Sequence, residues 1–267
     1  TLPKDYMDYR QTVHANELEY HKYNSVLSTL NWDRMATPDK YTPEEYHRLY
    51  TESYRLRKEA AGRLHADRMA FIRSHRQSPL ALYVAGEMIS KSFSVPDLEE
   101  ILARNCRISD TARAARFCRQ AEQARYFCKD IHYPDVPLHT PTFDTTLLSA
   151  HIRPGHVMLI DCWASWCGPC RAAIPAVKAL YDKYDRDRFD VISISLDSKK
   201  EDWQKALEEE KMPWPQFIAG NRGYEQLTLR YNINSIPNLI LIDDKGQVVC
   251  NTFSPEEISI ELEEILR

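Results

Sequence analysis

The sequence predicts an all-helical first domain over residues 1–133, followed by an α/β second domain over 134–267. Three observations carry this reading. Apolar and aromatic residues recur at helical spacing through the first half of the chain. Prolines at 134, 137 and 141 then forbid a continued helix. Beyond them, short apolar runs alternate with amphipathic segments, the order of strands and helices in a layered domain. A length of 267 residues gives room for both.

The first helix is expected from about Asp5 to Leu30, because Tyr6, Tyr9, Val13, Tyr20, Tyr23, Leu27 and Leu30 fall on one face. Thr42-Pro43-Glu44-Glu45 marks the next start, with a capping threonine, proline at the first helical position and glutamate three residues after the cap. That helix should run to about Arg73. Ser78-Pro79 opens another through Met88, Pro96 a short one to about Arg104, and Ser109-Asp110 a last one to about Lys129. His14, Glu17 and His21 share a side of the first helix. They read as a surface mixture, since zinc-binding helices usually space their histidines four apart. The basic residues from Arg104 to Lys129 read as a solvated helix face.

Tyr133 to Pro141 reads as an extended linker. A strand is expected at 157–162, a helix from Arg171 to about Tyr184, and a central strand over Asp190–Leu196. Ser198-Lys199-Lys200-Glu201 has the pattern of a capping box, opening a helix through about Glu210. A short helix follows around Tyr224 to Tyr231. A hairpin pairs 238–242 with 247–250, and Ser254-Pro255-Glu256-Glu257 caps the final helix.

The chemistry concentrates where the apolar run Val157–Ile160 passes through Asp161 into Cys162-Trp163-Ala164-Ser165-Trp166-Cys167-Gly168-Pro169-Cys170. A strand and short turn deliver Cys167 to the mouth of a helix. Unpaired backbone N–H groups and the positive end of the helix dipole stabilise a thiolate there. Cys170 lies within the first turn, so its sulfur reaches back to that of Cys167. The competing reading of Cys-x-x-Cys is half a zinc knuckle, but the chain has no second such pair, so no metal is expected.

Trp166-Cys167-Gly168-Pro169-Cys170 resembles the active-site motif of the thioredoxin superfamily, and the longer string from Trp163 to Arg171 looks like its TlpA/ResA-like envelope branch, often grouped with AhpC/TSA. Asn234-Ser235-Ile236-Pro237-Asn238, with the following Leu239–Ile242 and Asp243-Asp244-Lys245-Gly246, is similar to the family's cis-proline loop and final hairpin. The resemblance covers the last half of the chain. It implies a thioredoxin-like central mixed sheet flanked by helices, with residues 198–220 as the insertion typical of this branch. Its opening hairpin is matched by Thr142–Leu148, without the glycine usual at that turn.

Function follows from the same resemblance as a thiol-disulfide oxidoreductase reducing protein disulfides. Cys167 is the nucleophile, Cys170 the resolving thiol and Asp161 the buried proton acceptor. Trp166, Gly168, Pro169, Ile236 and Pro237 form the substrate-binding surface. In thioredoxins Cys-Gly-Pro-Cys goes with a nucleophile pKa of about 7 and a potential near about −270 mV. The family's second acid/base group, a glutamate after the second cysteine, is replaced by Ala173. No cofactor beyond the dithiol is expected. The partners implied are disulfide-containing proteins and an upstream thiol donor, in the periplasm or cell envelope of a bacterium.

A net charge of −4 gives no basic field for nucleic acid, and no run approaches the roughly 18 apolar residues of a membrane span. Thr1-Leu2-Pro3-Lys4 does not read as the start of a signal peptide. Seven cysteines are present, and the five outside the motif, Cys106, Cys118, Cys128, Cys162 and Cys250, are expected to be mostly buried small hydrophobes. Ten residues of one continuous helix, about 15 Å, would separate Cys118 from Cys128, too far for a bridge. Two other functions compete. A thiol peroxidase would need a Pro-x-x-x-Thr/Ser-x-x-Cys setting, which the residues before Cys167 lack. An interaction module would keep the fold without using the cysteines.

Overall fold

The computed structural model describes residues 3–76, 78–88, 94–105, 112–125 and 131–267. The chain forms two compact units, Thr1–Ala124 and Arg125–Arg267.

In the first unit, α1 (Lys4–Ala36) and α2 (Pro43–Ser74) make a long antiparallel hairpin. The antiparallel sense follows from the pairs Asn31–Tyr46 near the turn and Asn16–Asp67 farther out. Val13, Leu27 and Leu30 are buried on α1, and Tyr50, Tyr54, Leu64 and Phe71 on α2. The α2 start carries the full capping box, with Glu45 N–H donating to Thr42 Oγ1 and Thr42 N–H to Glu45 Oε2. Three shorter helices follow: α3 (Pro79–Met88), α4 (Val95–Asn105) and α5 (Ala112–Ala124).

Cys118 corrects the expectation for the isolated cysteines: it is disulfide-bonded rather than a buried hydrophobe. The helix that carries it, α5, ends at Ala124, short of the expected Lys129. Cys106, Cys128 and Lys129 lie outside the described residues.

The second unit is a seven-stranded sheet in the order β2-β1-β5-β4-β3-β6-β7. The strands are β1 (Pro137–His139), β2 (Thr145–Leu147), β3 (Val157–Trp163), β4 (Phe189–Ser195), β5 (Gln216–Ile218), β6 (Asn238–Ile242) and β7 (Val248–Thr252). β3, β4 and β5 run parallel, while β6 and β7 return antiparallel. The helices are α6 (Gly168–Lys183), α7 (Lys200–Glu210), α8 (Gly220–Tyr231) and α9 (Pro255–Ile265).

Strand parity sorts the core into two layers. Met158, Ile160 and Cys162 of β3 face the layer that holds Ile192, Ile194, Leu227 and Tyr231. Val157 and Leu159 face the layer that holds Val177 and Leu180 of α6 and Ile258 and Leu262 of α9.

Two local expectations change. The proline-rich segment is part of the sheet: Val136 and Leu138 are fully buried, and Tyr231 Oη donates to Pro134 O at 2.7 Å. Proline is compatible with this because Pro137 stands first in its strand, where a missing N–H is tolerated. The sheet's reach begins earlier still, with Tyr133 N–H bonded to Gly246 O at 2.8 Å. Ser198 does not cap α7, whose cap residue is Lys199 with no side-chain hydrogen bond. A cap is worth only about 1 kcal/mol, and full burial of Trp203 outweighs it in fixing where that helix starts. Ser254 does cap α9, accepting from Glu257 N–H.

Candidate active site

The last residue of β3, Trp163, is fully buried, and a turn through Ala164, Ser165 and Trp166 leads into α6. Asp197, 4% exposed just beyond β4, holds this turn in place. Its carboxylate accepts from Ser165 N–H at 2.8 Å, from Ser165 Oγ at 2.7 Å and from Ser195 Oγ at 2.7 Å. With the backbone anchored on both sides, Cys167 occupies the N-cap position of α6.

Cys167 and Cys170 form a disulfide with an S–S distance of 2.01 Å. The backbone N–H of Cys170 donates to Cys167 Sγ at 3.2 Å. That donor and the helix terminus favour negative charge on this sulfur over its partner's. Both cysteines are buried in a cluster with Trp163, Ala164, Trp203, Ala206 and Ile218. Gly168, Pro169 and Trp166 are exposed beside them, Trp166 at 70%. Ile236 packs against the cysteine cluster, and the Ile236–Pro237 peptide bond is cis. Of the two tryptophans flanking the turn, Trp166 offers surface and Trp163 fills the core.

Asp161 is 5% exposed and lies on the α6 side of β3, two residues before Trp163. Burial is the main cause that moves its carboxyl from the ordinary 3.8 up to about 6, and a hydrogen bond from Ser193 opposes it. Ser193 faces Asp161 across the β3–β4 pair and donates to Oδ2 at 2.8 Å. Cys162 points into the opposite layer, where burial, reinforced by the Asp161 charge, pushes its thiol far up.

Ala173 is half-buried on α6, and no carboxylate stands at its position. Glu209 and Glu210, at the end of α7, are held by Arg171, whose guanidinium bonds them at 2.7 and 2.5 Å. In the first unit, Glu17 is taken by Arg10 at 2.5 Å and by Arg68 at 3.4 Å, while His14 bonds Arg10 at 3.0 Å. Among the described residues no group of His, Cys, Asp and Glu is arranged to hold a metal ion.

Sequence reasoning missed Ser165, Ser193, Asp197, Trp214 and Phe143. Phe143 packs at the edge of the cysteine cluster, with its ring against Trp203 and its backbone at φ 67°. It adopts the left-handed backbone region that favours glycine, in the turn that lacks the family's usual one. The signal for the serines was present in Val191-Ile192-Ser193-Ile194-Ser195. Two hydroxyls on one face of a strand otherwise fit for burial must find polar partners there.

Residues 155–248 match the thioredoxin-like family. The thiol-disulfide oxidoreductase ResA of Geobacillus kaustophilus is 26% identical over 133 residues, 47% of this chain and 75% of that protein. Sporulation thiol-disulfide oxidoreductase A of Bacillus subtilis is 24% identical over 104 residues, 38% of this chain and 61% of that one. A solved thioredoxin domain of a Bacteroides vulgatus thiol-disulfide oxidoreductase is 23% identical, covering 52% of this chain and 99% of its own, with a TM-score of 0.47. The second unit has a thioredoxin-like fold, and the relatives it matches are thiol-disulfide oxidoreductases.

Proposed function

We propose that the chain reduces disulfides in other proteins through its Cys167/Cys170 dithiol. The observation that carries this reading is the pair itself, bonded at the N-terminus of α6 with a backbone N–H aimed at Cys167 Sγ. In the reduced protein the Cys167 thiolate attacks a substrate disulfide. One substrate sulfur leaves as a thiolate and takes a proton, and a mixed disulfide remains. Asp161 accepts the proton of Cys170. The Cys170 thiolate then attacks Cys167 Sγ, forming the 167–170 bond and releasing the second substrate sulfur. Two electrons pass to the substrate.

Ile236 and Pro237 present backbone to an extended substrate segment, and Trp166, with Gly168 and Pro169, gives it an apolar surface. An upstream thiol donor restores the dithiol, and no other cofactor takes part. The motif's resemblance to the envelope branch supports a place in the periplasm or cell envelope of a bacterium. Among the described residues no helix is long and apolar enough to cross a membrane.

The test is reduction of a disulfide-containing protein, insulin for example, by the pre-reduced chain. Stoichiometric reduction is expected, falling to the uncatalysed background in Cys167→Ser. Undiminished activity in that variant would remove the proposal and favour a binding role for the fold.

A further inference from the structure

Beside Asp161, a single hydroxyl is caught between two buried groups. Ser193 Oγ donates to Asp161 Oδ2 at 2.8 Å and accepts from the indole N–H of Trp214 at 2.8 Å. Ser193 is fully buried, Trp214 is 3% exposed and Asp161 5%. An indole nitrogen can only donate, so Trp214 must occupy a lone pair of the serine oxygen. The hydroxyl has one proton, and the indole cannot accept it. Its other acceptor in reach is Met212 Sδ at 3.9 Å, a weak one. The serine proton is therefore committed to the carboxylate.

We propose that Trp214 and Ser193 form a donor relay, in which the indole orients the serine hydroxyl and the hydroxyl holds Asp161 in its carboxylate form. The relay rests on the reading of Asp161 as acceptor of the Cys170 proton, and it makes Ser193 and Trp214 positioning residues for that step. Burial pushes the carboxyl toward its protonated form. Full solvation would leave it too weak to take a thiol proton. A donor fixed on one oxygen sets the balance between the two.

On α6, Arg171 is bonded to Glu209 and Glu210, and Lys178 donates to Glu210 O. The β6 strand pairs Leu239 with Asp161 and carries no ionisable residue. Asp190, the one ionisable residue of β4, lies at the far end of that strand and is bonded to Arg153. Cys162 on β3 faces away with its thiol held neutral by burial. Cys167 and Cys170 of α6 are joined in the disulfide and do not titrate. Following the carboxyl in oxidised protein thus avoids coupling to the thiols.

The experiment is a pH titration of the Asp161 side-chain carboxyl by carbon-13 NMR on oxidised full-length chain, assigned with Asp161→Asn. Ser193→Ala is expected to raise the midpoint by about one pH unit. Trp214→Phe should raise it by less, and Ser193→Ala with Trp214→Phe should match Ser193→Ala alone, because the indole acts only through the hydroxyl. Ser193→Thr, which keeps the hydroxyl, should hold the wild-type midpoint and carries the test if the alanine variant folds poorly. An unmoved midpoint in Ser193→Ala, or a Trp214→Phe shift that persists in full without the hydroxyl, would overturn the relay. A raised midpoint with an unchanged pH profile for release of the mixed disulfide would support the relay and remove Asp161 from catalysis, so the two ideas fail separately.

Discussion

Cys170→Ser is expected to stop turnover and to leave the protein covalently joined to its substrates through Cys167. The attacking step needs only the sulfur at the α6 N-cap and the N–H of residue 170, which serine retains. The second step needs a thiol held next to the mixed disulfide. In the wild type that thiol is part of the same helical turn, with its Cα 5.2 Å from that of Cys167. Replacing an intramolecular nucleophile by dilute thiol in solution costs orders of magnitude, so release should slow at least about a thousandfold. Non-reducing electrophoresis or intact-mass analysis after mixing with a disulfide protein reads the result directly. Adducts that vanish with dithiothreitol and are absent in Cys167→Ser are expected. If the trapped species forms instead in Cys167→Ser, the two roles are reversed.

Asp161→Asn should make the oxidised protein more stable at neutral pH while impairing the resolving step. The sign follows from burial. The folded-state carboxyl is raised from 3.8 to about 6, so folding favours the protonated form. This contribution is fully present below about pH 4 and is lost as pH rises through about 6. Above that, keeping the charge buried costs on the order of 3 kcal/mol relative to the neutral form. Asparagine is neutral throughout, and its carbonyl can still accept from Ser193. Denaturant unfolding followed by the buried Trp163 and Trp214 should show the variant more stable at pH 7.5 by up to about 3 kcal/mol, with the advantage gone at pH 3.5. Release of the mixed disulfide should slow more at pH 7 than at pH 9, where hydroxide and thiolate ionisation replace the base. Lower stability of the variant at pH 7.5 would mean that the carboxylate has a partner that offsets its burial.

Features written in consecutive residues could be read without coordinates. The α2 capping box at Thr42 and the α9 cap at Ser254 are local chemistry, as is the strand–turn–helix that places Cys167. The parity of β3 likewise puts Asp161 and Cys162 on opposite layers before any pairing is known. What escaped depends on residues far apart in the chain. The strand β5 has three residues, too few for a period to declare itself, and it exists because β4 and β1 offer it partners. Ser193 reaches Asp161 across 32 positions and Asp197 reaches Ser165 across as many, both set by the parallel register of β3 with β4.

The central claim is that Cys167 and Cys170 are a reversible, reducing dithiol couple. Equilibration of the purified chain in glutathione and dithiothreitol buffers, with the 167/170 state read by thiol alkylation and mass, gives its potential. A value near about −270 mV, the thioredoxin range, is the predicted result. A value near about −120 mV, where oxidising members of this chemistry lie, or a pair that does not exchange with the buffer, would contradict it.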